Sequence, residues 1–427
     1  MRGRRAGARR RALLAALGAA CVAGSATTAV APGPAGAAPD AAASGIGATW
    51  ATAQGAWAAL PMGHLASANN TFWELLFRRT GTTRWTLVTP PGVATNGGVV
   101  GAATPAATGV VTVGIQPAKY LRYSPVARTT DGGKRWLSGT LPSGLAPVAD
   151  AMASAPAGTV VALERGRGGT LVRSDGSLTR WTTIATGRAL AATAAGRACG
   201  LRALSAVTLG SAGPEVGADC TRPGVVGLLA DQGGSWVADG PRVGQEAGAT
   251  MRVLRLSTVS SVTAAVVEAR TGRRTSVLAL WRRAGQAWTV SAPVRVEGDL
   301  VSAGFGPVAP DAAAPTAATT STTSATSAGS GASAASTGPA VVVVTATRSG
   351  RVAVHAVPGP GARWTTVAAP KGTEAVVGPG GPADAGVGAG TTALSVSGSW
   401  VTVWSRSAGG WRRGPRLEVP IEYGSST

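Results

Sequence analysis

Hydrophobic positions along this 427-residue chain fall in short runs broken by glycine, proline and Asx-containing turns, not at helical intervals. The runs Asp150 to Ser154, Thr159 to Leu163, Thr170 to Arg173 and Trp181 to Ile184 are separated by Ala-Pro-Ala-Gly, a glycine-rich link and Asp-Gly-Ser. That punctuation predicts four strands joined by tight turns. Similar sets begin near Thr49 to Thr52, Ala56 to Leu60 and Phe72 to Phe77, and near Val99 to Ala102 and Val110 to Ile115. Trp400 to Trp404 and Val341 to Val344 are apolar at successive positions, the pattern of strands buried on both faces. Helical signals are almost absent after the first residues, because no segment keeps a 3.6-residue period with caps.

The stretch Thr129-Thr130-Asp131-Gly132-Gly133-Lys134-Arg135-Trp136 combines a turn with a following aromatic, and weaker copies recur. The copies end at Trp85, Trp136, Trp181, Trp236, Trp288, Trp364 and Trp411, spaced 51, 45, 55, 52, 76 and 47 residues apart. Seven units of one approximate size predict a repeat architecture. The long gap contains residues 309–339, a run of Ala, Ser, Thr, Gly and Pro without a bulky apolar side chain, expected to be a disordered insert. Within the turn an Asp side chain bonds nearby backbone, glycine supplies positive φ, and the Trp covers apolar surface. Ser174-Asp175-Gly176 and Asp231-Gln232-Gly233-Gly234 are partial copies, whereas the turns before Trp85 and Trp411 lack the Asp. Trp50 and Trp57, Trp281 and Trp288, and Trp404 and Trp411 each stand seven apart across a turn, and are expected to be cross-strand partners on one face.

At Thr129, Asp131, Gly133 and Trp136 the chain resembles the Asp-box, or BNR-repeat, β-propellers, whose pattern is Ser/Thr-x-Asp-x-Gly-x-x-Trp. The resemblance implies an all-β, seven-bladed propeller over residues 49–427, with the box tying the turn between a blade's third and fourth strands. Six blades is the structural alternative if the first or last unit is incomplete. Trp85, Trp181, Trp236, Trp288, Trp364 and Trp411 become repeat-core residues. Several propellers of this kind are sialidases, but their arginine triad, Tyr/Glu pair and acid are not found: the only tyrosines are Tyr120, Tyr123 and Tyr423. The photosystem II assembly-factor propellers are similar only in blade turns.

Other chemistries have no constellation either. His64 and His355 are isolated, glycine runs read as turns, and Glu297-Gly298-Asp299 is the nearest carboxylate pair. No catalytic residue, cofactor or metal ligand is expected. The reading is a non-catalytic binding or scaffolding module, the runner-up a diverged sialidase-like glycoside hydrolase.

Residues 1–37 read as a signal peptide: six arginines precede an apolar run from Ala12 to Val22, and Ala35-Gly36-Ala37 suits cleavage. A twin-arginine-like Arg10-Arg11 and a poor lipobox at Cys21 leave the export route open. Residues 38–48 are a linker. No later stretch is long and apolar enough to span a bilayer. A secreted or cell-envelope-associated monomer is therefore expected, with Cys199 and Cys220 left as an even pair in an oxidising compartment. The hairpin centred on Gly210 to Pro214 is expected to set them on paired strands and bridge them.

The formal charge is +20, or +14 without the six leader arginines. A GC-rich genome explains much of that arginine; attraction to an anionic surface or polymer is the functional reading. Arg78, Arg79 and Arg84 flank the turn before Trp85, and Arg406, Arg412 and Arg413 flank the turn at Trp411. Ring closure makes the first and last blades neighbours, so these six are a candidate anion-binding rim patch. The partner is expected to be a protein or an anionic envelope polysaccharide, not a specific nucleic acid.

Overall fold

Successive strands pair with their neighbours in sequence, and each set of four makes an antiparallel meander. In this computed structural model the described residues are 48–52, 54–63, 71–90, 99–103, 109–115, 125–140, 149–155, 158–164, 168–259, 261–306, 338–378 and 390–420. The chain divides into residues 1–40 and 41–427, and every described residue belongs to the second. The leader, almost all of the linker, His64, residues 309–337 of the insert and the Glu422-Tyr423 pair lie outside the described residues.

Among those residues, five meanders stand as separate four-stranded sheets, at 48–87, 99–140, 149–186, 299–369 and 373–418. Two more, at 201–238 and 250–296, join into a nine-stranded sheet where Asp219 and Cys220 pair with Arg252 and Met251. We number these units one to seven in chain order. Unit five has an extra strand because its outermost strand is split into Thr289–Val290 and Val294–Val296.

The strands are apolar on both faces because each sheet packs between two others. Val341 and Val343 of unit six pack with Trp281 of unit five, whereas Val342 and Val344 pack with Val376 and Ala393 of unit seven. Each hydrophobic cluster joins two successive units in this way. A further cluster sets Ala375, Leu394 and Val401 of unit seven against Ala58, Leu60 and Trp85 of unit one. The sheets thus close on themselves as a β-propeller, in which each unit covers surfaces it cannot bury alone.

The innermost strands of units two to seven carry register shifts, for example between Val253 and Arg255 and between Thr373 and Ala375. Such bulges bend a strand and re-aim its side chains, which hides these strands from a strict alternation pattern.

Two short helices stand where the sequence shows no helical period. They are α1, Gly187–Ala191, and α2, Ala194–Cys199. Thr186 and Thr193 cap them, their hydroxyls accepting from Ala189 N at 3.1 Å and Gly196 N at 3.0 Å. Helices of five and six residues are too short to display a period. They bury Leu190, Ala195 and Cys199 against unit four. Cys199 is therefore the last residue of a helix and not a strand residue, and Gly200 ends α2 at φ 68°. Leu201 pairs with Cys220, which brings the two cysteines to a Cα separation of 5.4 Å, and they are disulfide-bonded. No helix among the described residues is long and apolar enough to cross a membrane.

The tryptophan pairs divide. Trp50 and Trp57 are direct partners with ring centroids 6.0 Å apart and planes 7° apart. Trp404 and Trp411 join one cluster, although Arg406 is the residue opposite Trp411. Trp281 and Trp288 do not share a face: Trp281 pairs with Thr289, so Trp288, one residue earlier, turns to the other side.

Candidate functional site: a cationic rim groove

The turn closing the third strand of unit two is built by two side chains. The Thr129 hydroxyl accepts from Asp131 N at 3.3 Å and Gly133 N at 3.0 Å, and donates to Asp131 Oδ1 at 2.9 Å. The same Oδ1 accepts from Lys134 N and Arg135 N, each at 3.0 Å. These bonds, that from Arg135 N foremost, hold the Asp131 carboxyl below its ordinary pKa. Gly133 sits at φ 84°, and a Cβ there would fall 2.5 Å from Val88 of unit one. The turn is thereby pressed onto the neighbouring blade.

Unit three performs the same turn with other residues. Ser174 Oγ accepts from Gly176 N and Leu178 N, as Thr129 does from its own i+2 and i+4 amides. Ser177 Oγ replaces the carboxylate, accepting from Thr179 N and Arg180 N. Leu178 stands where unit two has Gly133, at φ 60° with its side chain fully buried, and Gly139 faces it: a Cβ there would lie 2.4 Å from Leu178 Cβ.

The tryptophans beyond these turns act between blades. Trp136 donates its indole N–H to Val88 O at 3.1 Å, Trp288 to Asp239 O at 2.7 Å, Trp364 to Ala292 O at 2.8 Å and Trp411 to Ala368 O at 2.7 Å. The acceptor lies at or near the end of the preceding unit's outermost strand, except Ala292, which stands in the break between the two halves of that strand in unit five. Trp181 bonds Leu178 O of its own turn at 3.2 Å, and Trp236 packs into the cluster between units three and four. The N–H of Trp85 is buried without a partner among the described residues.

The six arginines of the expected rim patch are put to different uses. Arg78 is half-buried, donates to Thr392 Oγ1 of unit seven at 2.9 Å, and lies 5.4 Å over the Trp85 ring; burial lowers its pKa. Arg406 stacks likewise on Trp411 at 5.5 Å, and Arg282 of unit five on Trp288 at 4.9 Å. An arginine at the end of a third strand, stacked on its own unit's tryptophan, is thus a repeated packing device. Arg412 and Arg413 are exposed and successive on the outermost strand of unit seven, so they leave it on opposite faces. Arg79 and Arg84 go elsewhere. Arg79 follows Arg78 and takes the opposite face of its strand, toward unit two.

There Arg79, Arg84 and Lys134, all exposed, line a groove of about 910 Å³ between the turn of unit one and the Asp-box turn of unit two. Gln54 spans the two turns, its Nε2 donating to Thr130 O at 3.0 Å. Asp131 also borders the groove, but its charge is engaged by its own turn and by Arg135, 3.6 Å away. Thr80, Thr82 and Thr86 add hydroxyls. Sequence reasoning found Arg79 and Arg84 from their place beside a turn. It missed Lys134, which stands inside the octet, because the octet explains the turn without it.

Two other polar places are less suited to a ligand. A central cavity of about 110 Å³ is lined by first strands and holds Arg255, whose pKa is pushed down to about 10 by burial and by Arg252. That volume is below the roughly 300 Å³ where small-molecule sites begin. At the seam of units four and five, Arg282 binds Glu215 at 3.0 Å and also Asp239, and burial raises both carboxyl pKa values. Burial likewise raises Glu164 and Glu374 to about 7. Among the described residues no group of three or more His, Cys, Asp or Glu is placed to hold a metal ion.

No family model matches the chain, and no curated protein matches it. Solved structures do. YCF48 bound to a D1 peptide is similar at 12% identity, covering 90% of this chain and 94% of its own, with a TM-score of 0.41. The six-bladed lectin of Aleuria aurantia is similar at 14% identity over 77% and 96%, with a TM-score of 0.43. AofleA from Arthrobotrys oligospora is similar at 11% identity over 77% and 87%, with a TM-score of 0.46.

Proposed function

We propose that the protein is an exported, seven-bladed β-propeller that binds an anionic polymer of the cell envelope without transforming it. The observation that supports this reading is the convergence of Arg79, Arg84 and Lys134 on one groove where the bordering acid, Asp131, is committed to its turn. Guanidinium groups suit bidentate contacts to carboxylate, sulfate or phosphate, and lysine adds a mobile point charge. Threonine hydroxyls along the same walls suit the neutral hydroxyls of a glycan.

The test is binding of dextran sulfate and of unsulfated dextran across a salt series. Wild type is compared with Arg79→Gln/Arg84→Gln/Lys134→Gln and with Arg412→Gln/Arg413→Gln. The groove variant is expected to lose roughly tenfold in affinity for the sulfated polymer, with a shallower salt dependence. The second variant, altered outside the groove, is expected to bind like wild type. Equal affinity and slope in wild type and groove variant would eliminate the site, and turnover of a fluorogenic glycoside would overturn the non-catalytic reading.

A further inference from the structure

A second recess lies at the seam of units five and six, far along the chain from the rim groove and independent of it. It has a volume of about 410 Å³, within the range of small-molecule sites. Its floor is polar in a specific way. His355 is 5% exposed and Thr345 is 2% exposed. The imidazole Nε2 lies 3.1 Å from Thr345 Oγ1, and Nδ1 lies 2.9 Å from Thr366 Oγ1. Both threonines line the recess together with His355. Arg295, Arg351 and Glu297, all exposed, stand at its mouth.

Burial lowers the His355 pKa, so the ring is neutral at pH 7. A neutral imidazole has one N–H and one bare nitrogen. One threonine must therefore donate its proton to the ring, leaving its oxygen free to accept. The other must accept from the ring, leaving its own O–H free to donate. Either tautomer gives the recess one hydroxyl acceptor and one hydroxyl donor, held rigidly by a strand histidine. That pair matches the hydroxyls of a sugar, and the two guanidinium groups above it match an oxyanion.

We propose that this recess binds a monosaccharide unit carrying one oxyanion, a carboxylate or a phosphate. The sugar hydroxyls meet Thr345 and Thr366, and the oxyanion meets Arg295 and Arg351. Glu297 disfavours a ligand with a second anionic group and accepts from a remaining hydroxyl. His355 is a positioning residue here, acting through the two threonines.

The chain has two histidines, so the full chain labelled with ¹³C-histidine gives two ring signals, separated by a His64→Asn variant. Glucose 6-phosphate, glucuronate, glucose and inorganic phosphate are titrated in turn. The His355 signal is expected to shift saturably with one or both anionic sugars, with at least roughly tenfold weaker binding of glucose and of phosphate. The tighter anionic sugar identifies phosphate or carboxylate as the group read. Arg295→Gln/Arg351→Gln, altered only at exposed positions, is expected to weaken that binding roughly tenfold while the ligand-free His355 signal and the melting temperature stay unchanged. No shift with any of the four probes to about 20 mM overturns the proposal. So does glucose or phosphate binding as tightly as the anionic sugars, or equal affinity in the arginine variant.

Discussion

The two flanks of unit one meet the same packing problem with different chemistry. Toward unit two, Trp57, Trp73 and Phe77 form an aromatic layer, Trp57 and Phe77 tilted at a centroid distance of 4.7 Å, and Trp136 closes the edge with a satisfied indole N–H. Toward unit seven, Ala56, Ala58, Leu60 and Met62 face small aliphatic side chains, and Trp85 is buried with its N–H unpaired among the described residues. The rim of this second seam is held by Arg78 reaching Thr392. One seam takes its polar closure from a backbone carbonyl accepting an aromatic donor, the other from a side chain crossing the ring. The difference shows how a repeat can lose its aspartate and keep its blade: unit one has no Asp box, yet its edge is still anchored.

The largest effect that tests this contrast is removal of the aromatic layer. Trp57 is fully buried, so Trp57→Ala is expected to cost about 4 kcal/mol in denaturant unfolding. A loss under about 1 kcal/mol would show that the first seam is not held by its aromatics.

A smaller effect is expected from the innermost strand of unit seven, whose Ala375 and Val377 line the second seam. Burial lifts the Glu374 carboxyl from its ordinary 4.5 to about 7. The folded state thus holds the proton more tightly than the unfolded state. The group's contribution is full below pH 4.5 and is lost as pH rises through 7. Wild type should lose on the order of 2 kcal/mol between about pH 5 and pH 8 relative to Glu374→Gln. Parallel pH profiles in the two proteins would show that the carboxyl is solvated.

The smallest and sharpest comparison is between two identical substitutions. Trp136→Phe removes a donor from Val88 O and should cost about 1 kcal/mol beyond the change in ring size. Trp85→Phe removes a donor that has no acceptor among the described residues, so its cost should be that of the ring alone. Equal losses in thermal melts would mean that Trp85 finds a partner in solution and that the two seams are alike.

Much of the fold was legible because turns punctuate it. The strands Ala149–Ser154, Val160–Glu164, Thr170–Ser174 and Trp181–Thr186 follow the hydrophobic runs of that stretch within a residue or two at almost every end. What escaped depends on geometry that residue type does not carry. A single-residue difference in pairing sends Trp288 to the far side of its sheet, and bulges interrupt the alternation of the innermost strands. α1 and α2 rest on two threonine caps and have no room for a period. At the candidate site the sequence showed arginines beside turns, but strand alternation decides their use. Arg78 serves a seam and Arg79 a groove, although they are adjacent. The recess around His355 was invisible for a related reason, since Thr345, His355 and Thr366 come from three strands and meet only when those strands pair.

The turn of unit three limits how unit two can change. Leu178 occupies a backbone conformation that favours glycine, and its Cβ and its carbonyl oxygen together fill the space a Cβ at Gly139 would need. Gly139→Ala alone meets Leu178; Leu178→Gly alone relaxes the backbone but empties a fully buried site. Leu178→Gly does not open the place for alanine either, because the backbone carbonyl oxygen of residue 178 stays 2.6 Å from a Cβ at position 139. The requirement for glycine at 139 is therefore set across a blade boundary, by the backbone of the next unit's turn. Glycine at 139 thus outlasts any exchange of the side chain at 178, and only a new path for the turn itself releases it.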